Sequence, residues 1–85
     1  MTKSKKIDVG AGKVLGLHVQ IGAVPGRKIP DLRLVIGKSS NIRSGSVIYL
    51  GSRIGSHLET GHHAVIREEN AIGDHFSLWT NSIVD

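Results

Sequence analysis

Five histidines, the stretch Gly10-Ala11-Gly12-Lys13 and the run Arg67-Glu68-Glu69 are the groups in this 85-residue chain with chemistry to offer. His57 and His75 stand 18 residues apart, with the adjacent pair His62 and His63 between them. Neighbouring histidines invite a metal, but a zinc or iron site needs three or more converging ligands and a supporting second layer of hydrogen bonds. The chain has no cysteine, so thiolate ligands and disulfides are both excluded. Gly10 to Lys13 fails as a phosphate loop, because Ile7 stands where the first glycine is needed and Val14 where a Ser or Thr should follow the lysine. It fails as a dinucleotide fingerprint too, its third glycine, Gly16, falling one residue late with no helical pattern behind it. Arg67-Glu68-Glu69 offers either a cation for an anionic acceptor or a salt-bridge ladder, and outward charges of this kind are usually solvated.

The elements that must position these groups announce themselves through a double period. Ile-Gly recurs at Ile36-Gly37, Ile54-Gly55 and Ile72-Gly73, and positions 36, 42, 48, 54, 60, 66, 72, 78 and 84 read Ile, Ile, Ile, Ile, Thr, Ile, Ile, Leu, Val. An α-helix turns about 100° per residue, so every sixth residue would scatter round its surface instead of building one stripe. A period of six closing into a period of 18 fits a solenoid with three flat sides per coil, stacked as parallel ladders about 4.7 to 4.9 Å apart. Four places after each aliphatic residue stand Ser40, Ser46, Ser52, Leu58, Ala64, Asn70, Phe76 and Ser82, mostly small enough for a tight corner. Leu58 and Phe76 share one such corner, which predicts a locally wider bend or packing against a partner. The spacing stacks His75 on His57, Thr80 on His62, Asn81 on His63, and Trp79 on Gly61 and Arg43. Trp79 is expected to point outward, a position where aromatic residues commonly anchor interfaces.

At this level the chain resembles the hexapeptide-repeat family, whose left-handed parallel β-helix is found in many acyltransferases. The handedness follows from the resemblance alone and departs from the right-handed rule for parallel crossovers. The expected architecture is all-β: a hexapeptide-repeat β-helix of about three coils over residues 36 to 85, a partial coil with an insertion over residues 21 to 35, and a basic, irregular N-terminal segment over residues 1 to 20. Thr60-Gly61-His62 and Val65-Ile66-Arg67-Glu68, with Ile72-Gly73-Asp74 and Trp79-Thr80-Asn81-Ser82, are similar to the subgroup of these enzymes that acetylates sugars, often amino groups of nucleotide-linked sugars. The resemblance implies a homotrimer with active sites in the clefts between adjacent β-helices, acetyl-CoA as cofactor, and transfer to a sugar or sugar-nucleotide amine or hydroxyl. It implies a histidine as general base, His62 first and His63 second; the ordinary imidazole pKa of about 6.5 leaves a neutral nitrogen near pH 7. Thr80 and Asn81 would hold the imidazole tautomers or meet the acceptor, and Trp79 and Arg67 would contribute to acceptor or cofactor binding. Relatives resembling the γ-carbonic anhydrases place a second histidine five residues after the one like His62; Arg67 stands there, a guanidinium cannot ligate a metal, and no metal site is expected. Family enzymes run on for several more coils, which supply much of the cofactor cleft, so this stretch alone is expected to have little activity. The reading of another class is a non-catalytic trimeric structural or interaction module.

Charge is unevenly placed. Residues 1 to 53 hold ten of the eleven Lys and Arg against Asp8 and Asp31, while residues 54 to 85 hold Arg67 against Glu59, Glu68, Glu69, Asp74 and Asp85. A basic half attracts anions, but with only Tyr49, Phe76 and Trp79 as aromatics there is no stacking platform for nucleic acid. Three coils enclose a core too narrow for comfortable stability, which again predicts oligomerisation. No apolar run has signal-peptide or membrane-spanning length, so a cytoplasmic protein without membrane contacts is expected.

Overall fold

The computed structural model describes residues 6–85. Twelve short strands occur in chain order: β1 (Lys6–Val9), β2 (Val14–Leu15), β3 (Gln20–Ala23), β4 (Arg33–Ile36), β5 (Asn41–Ile42), β6 (Val47–Tyr49), β7 (Arg53–Ile54), β8 (Glu59–Thr60), β9 (Val65–Ile66), β10 (Ala71–Ile72), β11 (Ser77–Leu78) and β12 (Ile83–Val84). They form three parallel four-stranded sheets, ordered β1-β4-β7-β10, β2-β5-β8-β11 and β3-β6-β9-β12, so that each successive trio of strands is one coil of a β-solenoid. Among the described residues no helix is long and apolar enough to cross a membrane.

The register is the one the 18-residue period requires. Ile36 pairs with Ile54 and Ile54 with Ile72, Ile48 pairs with Ile66 and Ile66 with Val84, and Leu78 pairs with Thr60. Ile36, Ile42, Ile48, Ile54 and Ile66 are buried together with Leu34, Leu50 and Leu58, forming one thin apolar column. Thr60 breaks the aliphatic rule without breaking the core, although it is only 1% exposed. Its hydroxyl accepts a bond from the Arg43 backbone N–H at 3.1 Å and meets Ser46 Oγ at 3.3 Å, so a buried polar atom has partners.

The corners follow a rule of their own. Ser39, Gly45, Gly51, His57, His63, Glu69, His75 and Asn81, each three places after an inward six-residue marker, all have positive φ. That conformation favours Gly and, among other residues, Asn, Asp and His. The small residue that follows tightens the bend through its side chain. Ser46 Oγ donates to the Gly61 carbonyl at 3.1 Å and accepts from the Ala64 N–H at 3.2 Å; Ser52 Oγ donates to the Arg67 carbonyl at 2.7 Å and accepts from the Asn70 N–H at 3.1 Å. At the third corner the same arrangement fails. Leu58 lies one coil above Ser40, is buried, and leaves Ser40 Oγ as a buried polar atom with no hydrogen bond among the described residues. Phe76 above it packs against the core, so the bulk at this corner faces inward. The Ile-Gly motif has a steric cause: a methyl group on Gly37 would lie 2.6 Å from the Ser56 nitrogen, because the next coil's backbone rests directly on it.

The N-terminal expectation needs correction. Residues 6 to 23, read as irregular followed by a partial coil, make a complete first coil, with Val9 opposite Ile36, Leu15 opposite Ile42 and Ile21 opposite Ile48. The chain therefore has four coils where about three were expected. Met1 to Lys5, the start of the expected basic segment, lie outside the described residues.

Between β3 and β4 the insertion folds back on the solenoid. Pro25 and Ile29 are buried, and Arg27 reaches Glu68 at 2.7 Å and Glu69 at 2.6 Å on the third coil. Glu68 also pairs with Arg67 at 3.1 Å. The salt-bridge reading of Arg67-Glu68-Glu69 is thus the one this geometry realises. Its own backbone N–H, then the Arg27 and Arg67 guanidinium groups, hold the Glu68 carboxyl at about 2, and the side chain and backbone N–H of Arg33 hold Asp31 at about 2. Both values lie below the ordinary carboxylate range, so the stability they contribute is present above about pH 4.5 and lost as the pH falls toward 2. The melting temperature is expected to drop across that window, and Glu68→Gln should flatten the drop. A variant with the parent's full acid sensitivity would show that the insertion is not held by this carboxylate.

Candidate functional site

The corner between β8 and β9, with its counterparts on the coils above and below, carries an open concavity. Its groove has a volume of about 450 Å³ and is lined by Arg43, Glu59, Gly61, His62, Ser77, Leu78, Trp79 and Thr80. Gly61 has no room for a side chain, since a methyl group there would collide with the backbone nitrogen and hydroxyl of Thr80, so the glycine lets the fourth coil rest directly on the third at this level. Arg43, one coil below, is fixed rather than free: it donates to the Thr60 carbonyl at 2.9 Å and to Glu59 Oε2 at 3.2 Å. Trp79, one coil above, is 83% exposed, the most exposed large apolar side chain of the described residues.

His62 is held from both neighbouring coils. Its Nδ1 lies 2.8 Å from Ser44 Oγ, and its backbone N–H donates to Thr80 Oγ1 at 3.2 Å. When Nδ1–H donates to Ser44, Nε2 carries the lone pair and is the nitrogen able to accept a proton from a group in the groove. Ser44, 18 residues before His62, is thus the group that orients the ring. The spacing that places Thr80 above His62 also places Ser44 below it, a signal present in the sequence but not used for the site. Arg43, Glu59, Ser77 and Leu78 were missed for a related reason: they lie on three different coils and meet only through the stacking of those coils.

The structure separates the expected site residues into two groups. His62, Thr80 and Trp79 line the same groove. His63, Asn81 and Arg67 do not. The His63 ring lies over Gly45, where that glycine's side chain would otherwise be. Asn81 meets the site only through its backbone, its N–H donating to the His62 carbonyl at 3.0 Å. Arg67 sits at the next corner, paired with Glu68 and with its guanidinium 4.8 Å from the centre of the Tyr49 ring.

Backbone conformation adds a second distinction. His18, His57, His63 and His75 have φ between 54° and 63°, all at left-handed corners, and His62 is the one described histidine outside that set. Four of the five histidines thus have a conformational reason for being where they are, whereas His62 has none. Among the described residues no three His, Asp or Glu side chains converge as a metal-binding group. Comparisons with protein-family models, with curated proteins and with solved structures find no match to this chain.

Proposed function

We propose that this chain is a hexapeptide-repeat acetyltransferase, a left-handed β-helix working as a homotrimer, that transfers an acetyl group from acetyl-CoA to an amine or hydroxyl of a sugar or nucleotide-linked sugar. The observation that carries the reading is His62 in the groove, its Nδ1 anchored on Ser44 and its other nitrogen left for a substrate. In the reaction the acceptor heteroatom bonds to the acetyl carbon, the thioester C–S bond breaks, and the proton lost by the acceptor passes to His62 Nε2 and on to the departing thiolate. A positioned base of this kind typically contributes about 10² to 10⁴ in rate. Trp79 and Thr80 border the acceptor space, and the Arg43–Glu59 ion pair sets its polar wall. Arg67 sits at the neighbouring corner, and Asn81 stands on the His63 side of this one, outside the groove.

A second reading, a trimeric structural peg without chemistry, draws support from the exposed apolar side chains Val14, Leu15, Leu17 and Ile83. One titration separates the two. Acetyl-CoA added to the protein should change Trp79 fluorescence and raise the melting temperature with ligand concentration, as any ligand specific for the folded state must. A flat response in both signals would favour the peg.

A further inference from the structure

Gly73 is a glycine that no contact within the chain explains. Gly10, Gly16, Gly37, Gly55 and Gly61 lack side chains because the backbone of the next coil lies within 3 Å of where a methyl group would be. Gly73 continues the column of Gly37 and Gly55, yet its φ is not positive and open space surrounds the place of its methyl group. Its shape suits a coil resting on the fourth. Among the described residues β10, β11 and β12 each pair on one side only, and so do β1, β2 and β3 at the opposite end. Leu15 is 44% exposed although its partner Ile42 is fully buried, and Ile7, Val14 and Leu17 of the same first coil are exposed too. An edge of unpaired backbone groups is a template for another strand.

We propose that the fourth coil takes the first coil of a second copy of this chain, so that copies stack head to tail and the three parallel sheets run on across the joint. Register selects this occupant. Carried on by one coil, the repeat sets Val9, Leu15 and Ile21 of the second copy over Ile72, Leu78 and Val84, and its Gly10 over Gly73. In the column Gly16, Arg43, Gly61, Trp79 glycine alternates with a large residue, and Gly16 of the second copy keeps that alternation above Trp79. Charge selects it as well. The fourth coil has Asp74 and Asp85 with no Lys or Arg, whereas the first has Lys6 and Lys13 against Asp8. The register also brings Lys6 of the second copy one coil above Glu69, because Lys6, Arg33, Gly51 and Glu69 share a column. Opposite charges across the joint fix its orientation. Such a contact is heterologous and does not close, so assembly continues as concentration rises. Stacking along the axis leaves the flat sides of the solenoid free and brings Leu17 of the second copy over Thr80, at the rim of the groove.

The test uses the full chain in sedimentation velocity over a range of concentrations, with circular dichroism to follow folding. The parent should form species that keep growing beyond a trimer. Gly73→Ala should keep the parent's circular dichroism, since the space is open within one chain, and weaken the growth by about tenfold or more, since the methyl group meets the second copy's backbone. A covalent version decides the matter even if that variant misfolds. Ala11 of the second copy stands over Asp74, whereas within one chain the two are three coils apart, about 14 Å, too far for a disulfide. The chain has no cysteine of its own, so Ala11→Cys/Asp74→Cys should give a ladder of linked chains under oxidised glutathione, and either single variant at most a pair. A parent of one size at every concentration would overturn the proposal and leave the edge to a different chain. Growth that Gly73→Ala does not alter, or a double-cysteine variant without a ladder, would overturn it too. None of these outcomes depends on acetyl transfer.

Discussion

Ile54→Lys is expected to abolish folding. Ile54 is 3% exposed and sits in the middle of its column, paired in register with Ile36 below and Ile72 above. A solenoid of this width has a single layer of inward side chains from each sheet, so an ammonium group at this point has neither water nor a counter-charge. Burying it, whether charged or neutralised by a lowered pKa, takes a large share of the roughly 5 to 15 kcal/mol that holds a small domain together. Thr60 marks the limit of what the core admits: a hydroxyl is accepted there because the Arg43 N–H and Ser46 Oγ reach it, and no such groups surround a charged chain at position 54. Far-ultraviolet circular dichroism and thermal melting provide the measurement, with Ile54→Val as the control that should cost only about 0.5 to 1.5 kcal/mol. A lysine variant melting like the parent would mean that position 54 faces outward and that the six-residue register is wrong.

The same register shows how far the sequence could be read. Side chains that repeat at fixed spacing on a solenoid report their own stacking, which is why the three aliphatic ladders over residues 36 to 84 were legible before any coordinates. The first coil was harder to see. Val9-Gly10, Leu15-Gly16 and Ile21-Gly22 carry the same aliphatic-glycine pair at the same six-residue step. Their partners, however, lie 27 residues on, at Ile36, Ile42 and Ile48, because the insertion adds nine residues to the 18 of one coil. A period search anchored on 18 loses that coil although its local pattern is intact. At the site, spacing placed Thr80 over His62 correctly, but it could not say which way a side chain turns once it leaves the corner. His63 shows the difference: it neighbours His62 in sequence, yet its ring settles over Gly45. Arg67 was expected to serve a ligand and is instead engaged by Glu68, which Arg27 from the insertion also holds, a contact 41 residues away in the chain that no repeat could signal.

His62→Ala is expected to lower whatever acetyl transfer this stretch supports by about 10² to 10⁴ while leaving the fold and acetyl-CoA binding intact. The ring is exposed, so its removal opens no core cavity, and its backbone N–H keeps the bond to Thr80. His63→Ala should cost much less, because that ring stands outside the groove at a corner whose conformation alanine adopts less readily, a structural penalty rather than a chemical one. Ser44→Ala should fall between the two: the base remains, but the hydroxyl that holds Nδ1 is gone, so the rate falls with little change in acetyl-CoA affinity. The order His62, then Ser44, then His63 is specific to a base oriented from the coil below it. Steady-state rates with acetyl-CoA and an amino-sugar nucleotide test that order, and undiminished turnover in His62→Ala would remove His62 from the chemistry whatever the other two variants did.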